Sequence, residues 1–303
     1  MDNPLISIII PTLNNIDDLL QCLSSVKDLD YPKNKIEIII WDNGSKDGSQ
    51  AKIKNLFQEM AVENYFNLRL VESSENLGVY TARDELIKHI DAKTEYILSL
   101  DDDVVLPNTG LSEMLKVFEQ LPRVGIVGPR VVYYHHPEET QHGAGLVNLW
   151  LGKYSEIDSP RLIECDYVIG CCQLIRKEVA DRSQGFDRDY YTSHGEVDFC
   201  LRAKKMGYKI FCQPEVVVKH KVDKGGTRTM ERLYYLYRNK IFVIKKNASL
   251  LQKITSLSLY SVFWIPKIIV NSIIFNKGIN FNELKVIFKA IFHAMINRTG
   301  KLT

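Results

Sequence analysis

No C-x-x-C pair occurs among the six cysteines (Cys22, Cys165, Cys171, Cys172, Cys200 and Cys212). A zinc–thiolate site therefore has little support, and buried free thiols in a reducing cytosol are expected. No secretory leader is expected either: Asp2 follows Met1, and the first apolar stretch stops at Pro11. Net charge is only +2, and no Arg-rich or aromatic-interleaved patch points to nucleic acid. The small total hides an asymmetry. In residues 250–303, seven basic residues (Lys253, Lys267, Lys277, Lys285, Lys289, Arg298 and Lys301) stand against one acid, Glu283. That segment carries +6 and leaves −4 for the rest of the chain. A basic, apolar tail on a near-neutral body suggests an anionic membrane surface. Long unbroken apolar runs are absent too. Residues 254–265 carry no charge, but Pro266 and Lys267 interrupt the run before Ile268. A spanning helix needs about 20 apolar residues, so the tail is expected to lie on a membrane, pack on the body or pair in a dimer. In residues 281–297, Lys285, Lys289 and His293 recur every four residues as one polar stripe on an otherwise apolar helix.

What the chain does have is an ordinary globular composition, 45% apolar and 25% charged, and three consecutive aspartates. Asp101, Asp102 and Asp103 end the apolar run 96–100. Carboxylates crowded in this way repel one another unless a cation or a donor-rich ligand sits between them. Mg²⁺ and Mn²⁺ sites combine such oxygens with substrate phosphates. An acidic surface turn leading to Pro107 is the plainer alternative. Three other apolar runs also end in polar loops. Run 5–10 leads into Pro11, Thr12, Leu13 and Asn14; run 36–41 into Asp42, Asn43, Gly44 and Ser45; run 68–71 towards Asn76, Leu77 and Gly78. A helical stretch follows each. Repeated βα alternation predicts a parallel sheet whose polar strand ends converge on one edge, where such sheets bind ligands.

The second half adds further candidates. Residues 166–176 read as a buried strand with Gly170 at its middle, a place where a ligand or backbone comes close. Glu196 and Asp198 fall at a loop-to-helix junction. There they either complement the helix dipole or serve as a general base. Residues 208–211 and 216–218 form strands that lead to His220, followed by Gly225, Gly226 and Thr227. That histidine is either structural or placed to reach a metal or a diphosphate.

Taken in order, these residues resemble the family-two, GT-A-fold inverting glycosyltransferases, in particular their rhamnosyltransferase-like branch. The resemblance runs from about Leu5 to about Lys246. It rests on the Ile-Pro-Thr-Leu-Asn opening, Asp42-Asn43-Gly44-Ser45, Asn76-Leu77-Gly78 with Arg83, and Asp101-x-Asp103. Gly170-Cys171-Cys172, Gly185-Phe186-Asp187, Glu196-Val197-Asp198 with Arg202, His220 and Tyr237-Arg238-Asn239 complete it. It implies an α/β GT-A fold with a mainly parallel central sheet in residues 1–248 and a helical extension in 249–303. It implies a nucleoside-diphosphate sugar donor, UDP- or dTDP-linked, bound by Pro11, Thr12, Asn14, Asp42, Asn76, Gly78, Arg83, Asp101 and Asp102. Asp103 and His220 would hold Mg²⁺ or Mn²⁺, and Glu196 or Asp198 would be the base. The family carries an acid pair at that position, whereas this chain has Gly195-Glu196. The acceptor would be a growing glycan or a lipid-linked glycan. The expected location is cytoplasmic, peripheral on the inner face of the membrane. Two alternatives remain: a catalytically silent nucleotide-sugar-binding homologue or scaffold subunit, and a sugar nucleotidyltransferase. The latter wants a Gly-rich, Lys/Arg-bearing loop after the first strand, which Pro11-Thr12-Leu13-Asn14-Asn15 is not.

Overall fold

Unbroken runs of β-branched residues set the centre of the molecule. In this computed structural model, which describes residues 3–223 and 229–302, the first two strands are β1 (Ile6–Thr12) and β2 (Ile36–Asp42). Every residue of both is buried, as expected of parallel strands covered on both faces. Next come β3 (Asn67–Glu72) and β4 (Tyr96–Leu100), with α1 (Ile16–Lys27), α2 (Ser49–Met60) and α3 (Val79–Ile87) as the intervening helices. The short β5 (Val104–Val105) and α4 (Gly110–Gln120) lead into β6 (Val124–Tyr133). A region of smaller strands follows: β7 (His136–His142), the hairpin β8 (Ala144–Asn148) and β9 (Lys153–Ile157), and β10 (Ile163–Cys165). The chain then forms β11 (Cys172–Arg176), α5 (Lys177–Ser183), α6 (Gly195–Lys205) and β12 (Lys209–His220).

The main sheet runs β10-β12-β6-β11-β4-β1-β2-β3. β1, β2, β3 and β4 are mutually parallel, and β6 and β12 are parallel to each other. β11 lies antiparallel between β4 and β6, so β1, β2, β3, β4, β6 and β12 all point the same way. The mainly parallel α/β expectation is met. Two buried clusters cover the two faces. One contains Ile8, Leu23, Ile38, Leu98 and Leu174; the other contains Ile9, Ile39, Val168, Phe199 and Phe242. All six cysteines are buried and unpaired, three in each cluster.

Two details differ from the sequence reading. Gly170 is not mid-strand: β11 begins only at Cys172, and residues 166–171 cross between β10 and β11. The two runs expected at 208–211 and 216–218 belong to one strand, β12, which starts at Lys209 and carries a register shift between Gln213 and Val217 without ending. Residues 225–227 lie outside the described residues.

The tail follows α7 (Met230–Asn247) as α8 (Leu250–Leu259), α9 (Ile265–Phe275) and α10 (Phe281–Met295). Pro266 and Lys267 break the apolar run in the sequence, but they do not break the helix. Residues Leu250–Phe275 form one continuous helix of 26 residues. A widened turn at Tyr260–Trp264 joins α8 to α9, with the Ile265 N–H bonded to Tyr260 O. That turn accommodates a proline, which lacks an N–H and presses on the carbonyl one turn back. The polar stripe expected on α10 is also corrected. Lys285 and Lys289 are exposed, but His293 faces inward, beside buried Ile287, Ala290 and Ala294. Its Nδ1 is 2.7 Å from Tyr234 Oη on α7.

Candidate active site

The strand order brings the carboxyl ends of β1 and β4 together, and a cleft of about 740 Å³ opens there. This volume is within the usual range for small-molecule sites. Asp101, Asp102 and Asp103 all line it, but each does a different job. Asp102 accepts hydrogen bonds from Thr12 Oγ1 at 2.6 Å and Asn15 Nδ2 at 3.1 Å. Burial pushes its carboxyl up to about 7 against those two bonds, with the charges of Asp103 and Asp101 adding to the rise. Asp101 forms an ion pair with the buried Arg83 at 2.5 Å. The same guanidinium donates to Gly170 O at 2.7 Å and lies against the rings of Tyr80 and Phe186.

Asp103 faces His220, with Oδ1 and Nε2 3.2 Å apart. Gln141 Oε1 lies 2.9 Å from the other ring nitrogen and fixes the ring. Burial pulls the His220 pKa down, but the Asp103 carboxylate beside it and the charges of Asp101 and Asp102 raise it overall. Asp103 Oδ1 is buried and has no well-aligned hydrogen-bond donor. Ligand atoms of Asp101, Asp103 and His220 lie within 4.8 Å of one another. An orphaned carboxylate oxygen beside a second carboxylate and an oriented imidazole suits a divalent cation. The residues present fit Mg²⁺ or Mn²⁺.

Glu196 enters from the first turn of α6. Ser193 and His194 before it both take left-handed backbone, φ 61° and 66°. Asn239 on α7 holds that strained turn by donating to Thr192 O at 2.6 Å and Ser193 O at 2.8 Å. Tyr80 Oη donates to Glu196 Oε2. Burial raises the Glu196 pKa, while the Tyr80 bond opposes the rise. Gly170 permits this crowding: a Cβ there would sit 2.9 Å from Arg83 Nη1 and 3.3 Å from Glu196 Cβ. The close approach at Gly170 is thus made by two side chains rather than by the ligand or backbone expected there, and the residue is in a loop.

Pro11, Thr12, Asn14, Asn76 and Gly78 line the same cleft. Asn14 clasps the neighbouring loop, its N–H donating to Ser45 Oγ at 2.9 Å and its Oδ1 accepting from Lys46 N at 2.7 Å. Asn76 Oδ1 accepts from Asn43 Nδ2 and Gly78 N. Gly78 has φ 84°, and a Cβ there would meet Tyr191 O at 2.5 Å.

Two assigned residues do not reach the cleft. Asp42 is fully buried beneath its loop and accepts from Ser45 N at 3.1 Å and Gln50 Nε2 at 2.5 Å. It anchors the loop that carries Ser45. Asp198 points away from the cleft, 1% exposed, accepting from Arg202 Nε at 2.8 Å and Asn247 Nδ2 at 2.6 Å. Both of its oxygens are committed, so of the two candidate bases only Glu196 can meet a ligand in the cleft. Sequence reasoning missed Tyr80, Asn15, Asn43 and Gln141. Tyr80 left a signal, since it stands three residues before Arg83 and so shares a helix face with it. Gln141 left none.

Comparison with known proteins places the chain among sugar-transferring enzymes. The model of Glycosyl transferase family 2 matches residues 7–183, and that of Glycosyl transferase family group 2 matches residues 96–279. The chain is 25% identical to glycosyltransferase AglE of Haloferax volcanii over 266 residues, covering 87% of this chain and 82% of that protein. It is 26% identical to the N-acetylglucosaminyl-diphospho-decaprenol L-rhamnosyltransferase of Mycobacterium tuberculosis over 221 residues, covering 63% and 68%. The fold matches the mannosyltransferase PcManGT of Pyrobaculum calidifontis, solved with GDP-Man and Mn²⁺. There the TM-score is 0.61 at 16% identity, covering 98% of this chain and 88% of that one.

Proposed function

The chain belongs to Glycosyl transferase family 2 and is a transferase that uses nucleotide sugars, and from that premise we propose an inverting, metal-assisted single displacement onto an acceptor hydroxyl. The observation that carries it is Glu196, sharing one cleft with the acidic triplet and held there by Tyr80. Asp103 and His220 would hold Mg²⁺ or Mn²⁺, with Asp101 beside them. Such an ion neutralises charge growing on a diphosphate leaving group, which is worth several kcal/mol. Pro11, Thr12, Asn14, Asn76 and Gly78 form the donor wall, and Arg83 fixes Asp101. A UDP- or dTDP-sugar is the favoured donor. Glu196 takes the proton of the acceptor hydroxyl. That oxygen bonds to the anomeric carbon from the face opposite the diphosphate. The bond from that carbon to the diphosphate oxygen breaks, the nucleoside diphosphate departs, and the anomeric configuration inverts. A glycan or lipid-linked glycan is the acceptor class, in keeping with the lipid-diphosphate sugar named for the mycobacterial relative. A silent homologue finds no support, since the site keeps both its acidic triplet and its base.

Glu196→Gln tests this. Turnover should fall by at least ~10²-fold, the usual cost of removing a general base, while calorimetric affinity for the nucleoside diphosphate stays unchanged. Near-normal turnover in that variant would refute the assignment.

A further inference from the structure

Large apolar side chains stand in solvent along the C-terminal helices. Val262 is 79% exposed and Phe281 77%, with Leu250, Phe263, Ile274 and Phe292 also uncovered. Soluble monomers rarely leave apolar patches larger than a few hundred Å² uncovered. A helix that is apolar all round belongs in a core or in lipid. The helix Leu250–Phe275 is not in the core: only Ser256, Tyr260 and Ser272 along it are buried. Among these apolar residues stand exposed Lys267, Lys277 and Lys285, in a segment of charge +6. Basic residues at an apolar surface are drawn to anionic headgroups.

We propose that this helical layer docks on an anionic lipid bilayer and lies in its interface without crossing it. By length and composition, Leu250–Phe275 could cross a membrane; its contacts forbid it. The middle of the helix rests on the loop between β8 and β9. Trp264 Nε1 donates to Leu151 O at 2.8 Å, and Thr255 Oγ1 to Trp150 O at 3.3 Å. Tyr260 and Ser256 lie against Gly152. A bilayer enclosing the helix would have to strip that loop away. Crossing would also carry α10 to the far side, yet α10 and the residues after it stay on α7. Tyr234 pairs with His293, Lys245 Nζ donates to Ala294 O at 2.8 Å, and Arg238 Nη1 to Gly300 O at 2.7 Å. The layer is therefore held on one side, with its outer face free for lipid. Trp150, 49% exposed beside this layer, is an amphipathic ring of the kind that settles at headgroup depth.

The test uses the full chain and sealed vesicles of phosphatidylcholine, with and without phosphatidylglycerol. The protein should float with the anionic vesicles, and the double variant Lys277→Gln, Lys285→Gln should bind about 5-fold more weakly per lysine removed. Lipids brominated on the acyl chains should quench tryptophan fluorescence through Trp150 and Trp264, because Trp41 is buried. With the six native thiols buried, a Thr299→Cys variant bound to the vesicles should react with an impermeant maleimide added outside. Protection of that thiol would mean the helix crosses, which overturns the proposal. Failure to float, with a dimer mass by light scattering, would overturn it in favour of a second copy. None of these readouts depends on sugar transfer.

Discussion

Glu196 and Asp198 are two residues apart, but their surroundings divide them. Asp198 has given both oxygens to Arg202 and Asn247, whereas Glu196 accepts one bond from Tyr80 and faces the cleft. Burial raises the Glu196 pKa, and only its ionised form can take a proton. The acid limb of kcat/KM should therefore fall at a higher pH than an ordinary glutamate near 4.3 would give. Tyr80→Phe removes a bond that lowers that pKa, so the limb should move further up in pH profiles of the variant. A limb that stays in place would show that the bond is absent in the working enzyme. On the metal side, Asp103→Ala should weaken nucleoside-diphosphate affinity in Mn²⁺ and change little in EDTA. Equal losses by titration calorimetry would make that carboxylate structural. Most of these side chains were legible in the sequence because each sits beside a strand end or a turn signal. Asp42 was not placed correctly: residue type and position cannot show that Ser45 and Gln50 have already claimed its carboxylate.

Elements were legible where their pattern was local. β1, β2 and β4 are apolar runs closed by polar residues, and the helices after them follow from that alternation. Short pieces were not, because residues 167–172 carry no charge and nothing in them marks where pairing with β4 begins. Pro266 misled for the opposite reason, since one widened turn absorbs it. α7 shows an element acting at a distance. Its Asn239 holds the strained turn before Glu196, and its Arg238, stacked on Tyr234, Tyr235 and Phe242, grips Asp189 O and Gly300 O. Asn239→Ala leaves two carbonyls short of a donor. It should cost on the order of 1–3 kcal/mol in denaturant unfolding and lower turnover beyond what the stability loss explains. Full turnover in a destabilised variant would confine Asn239 to a packing role.

Over the whole molecule, long-range contacts are the part a sequence hides. Tyr80 and Glu196 meet across 116 positions, and α10 docks on α7 through a histidine that reads as part of a surface stripe. The parallel sheet was foreseeable because it repeats; these pairings occur once each. The distribution of thiols has a practical consequence. Cys22, Cys171 and Cys172 lie on one side of the sheet, and Cys165, Cys200 and Cys212 on the other. A thiol reagent mixed with the native protein thus meets two sealed sets of clocks, one behind each face. Since both faces share the same strands, all six should start together, in a single phase set by global opening. Labelling that arrives as three and then three, counted by mass spectrometry, would reveal that one face of the sheet can be laid bare while the other stays shut.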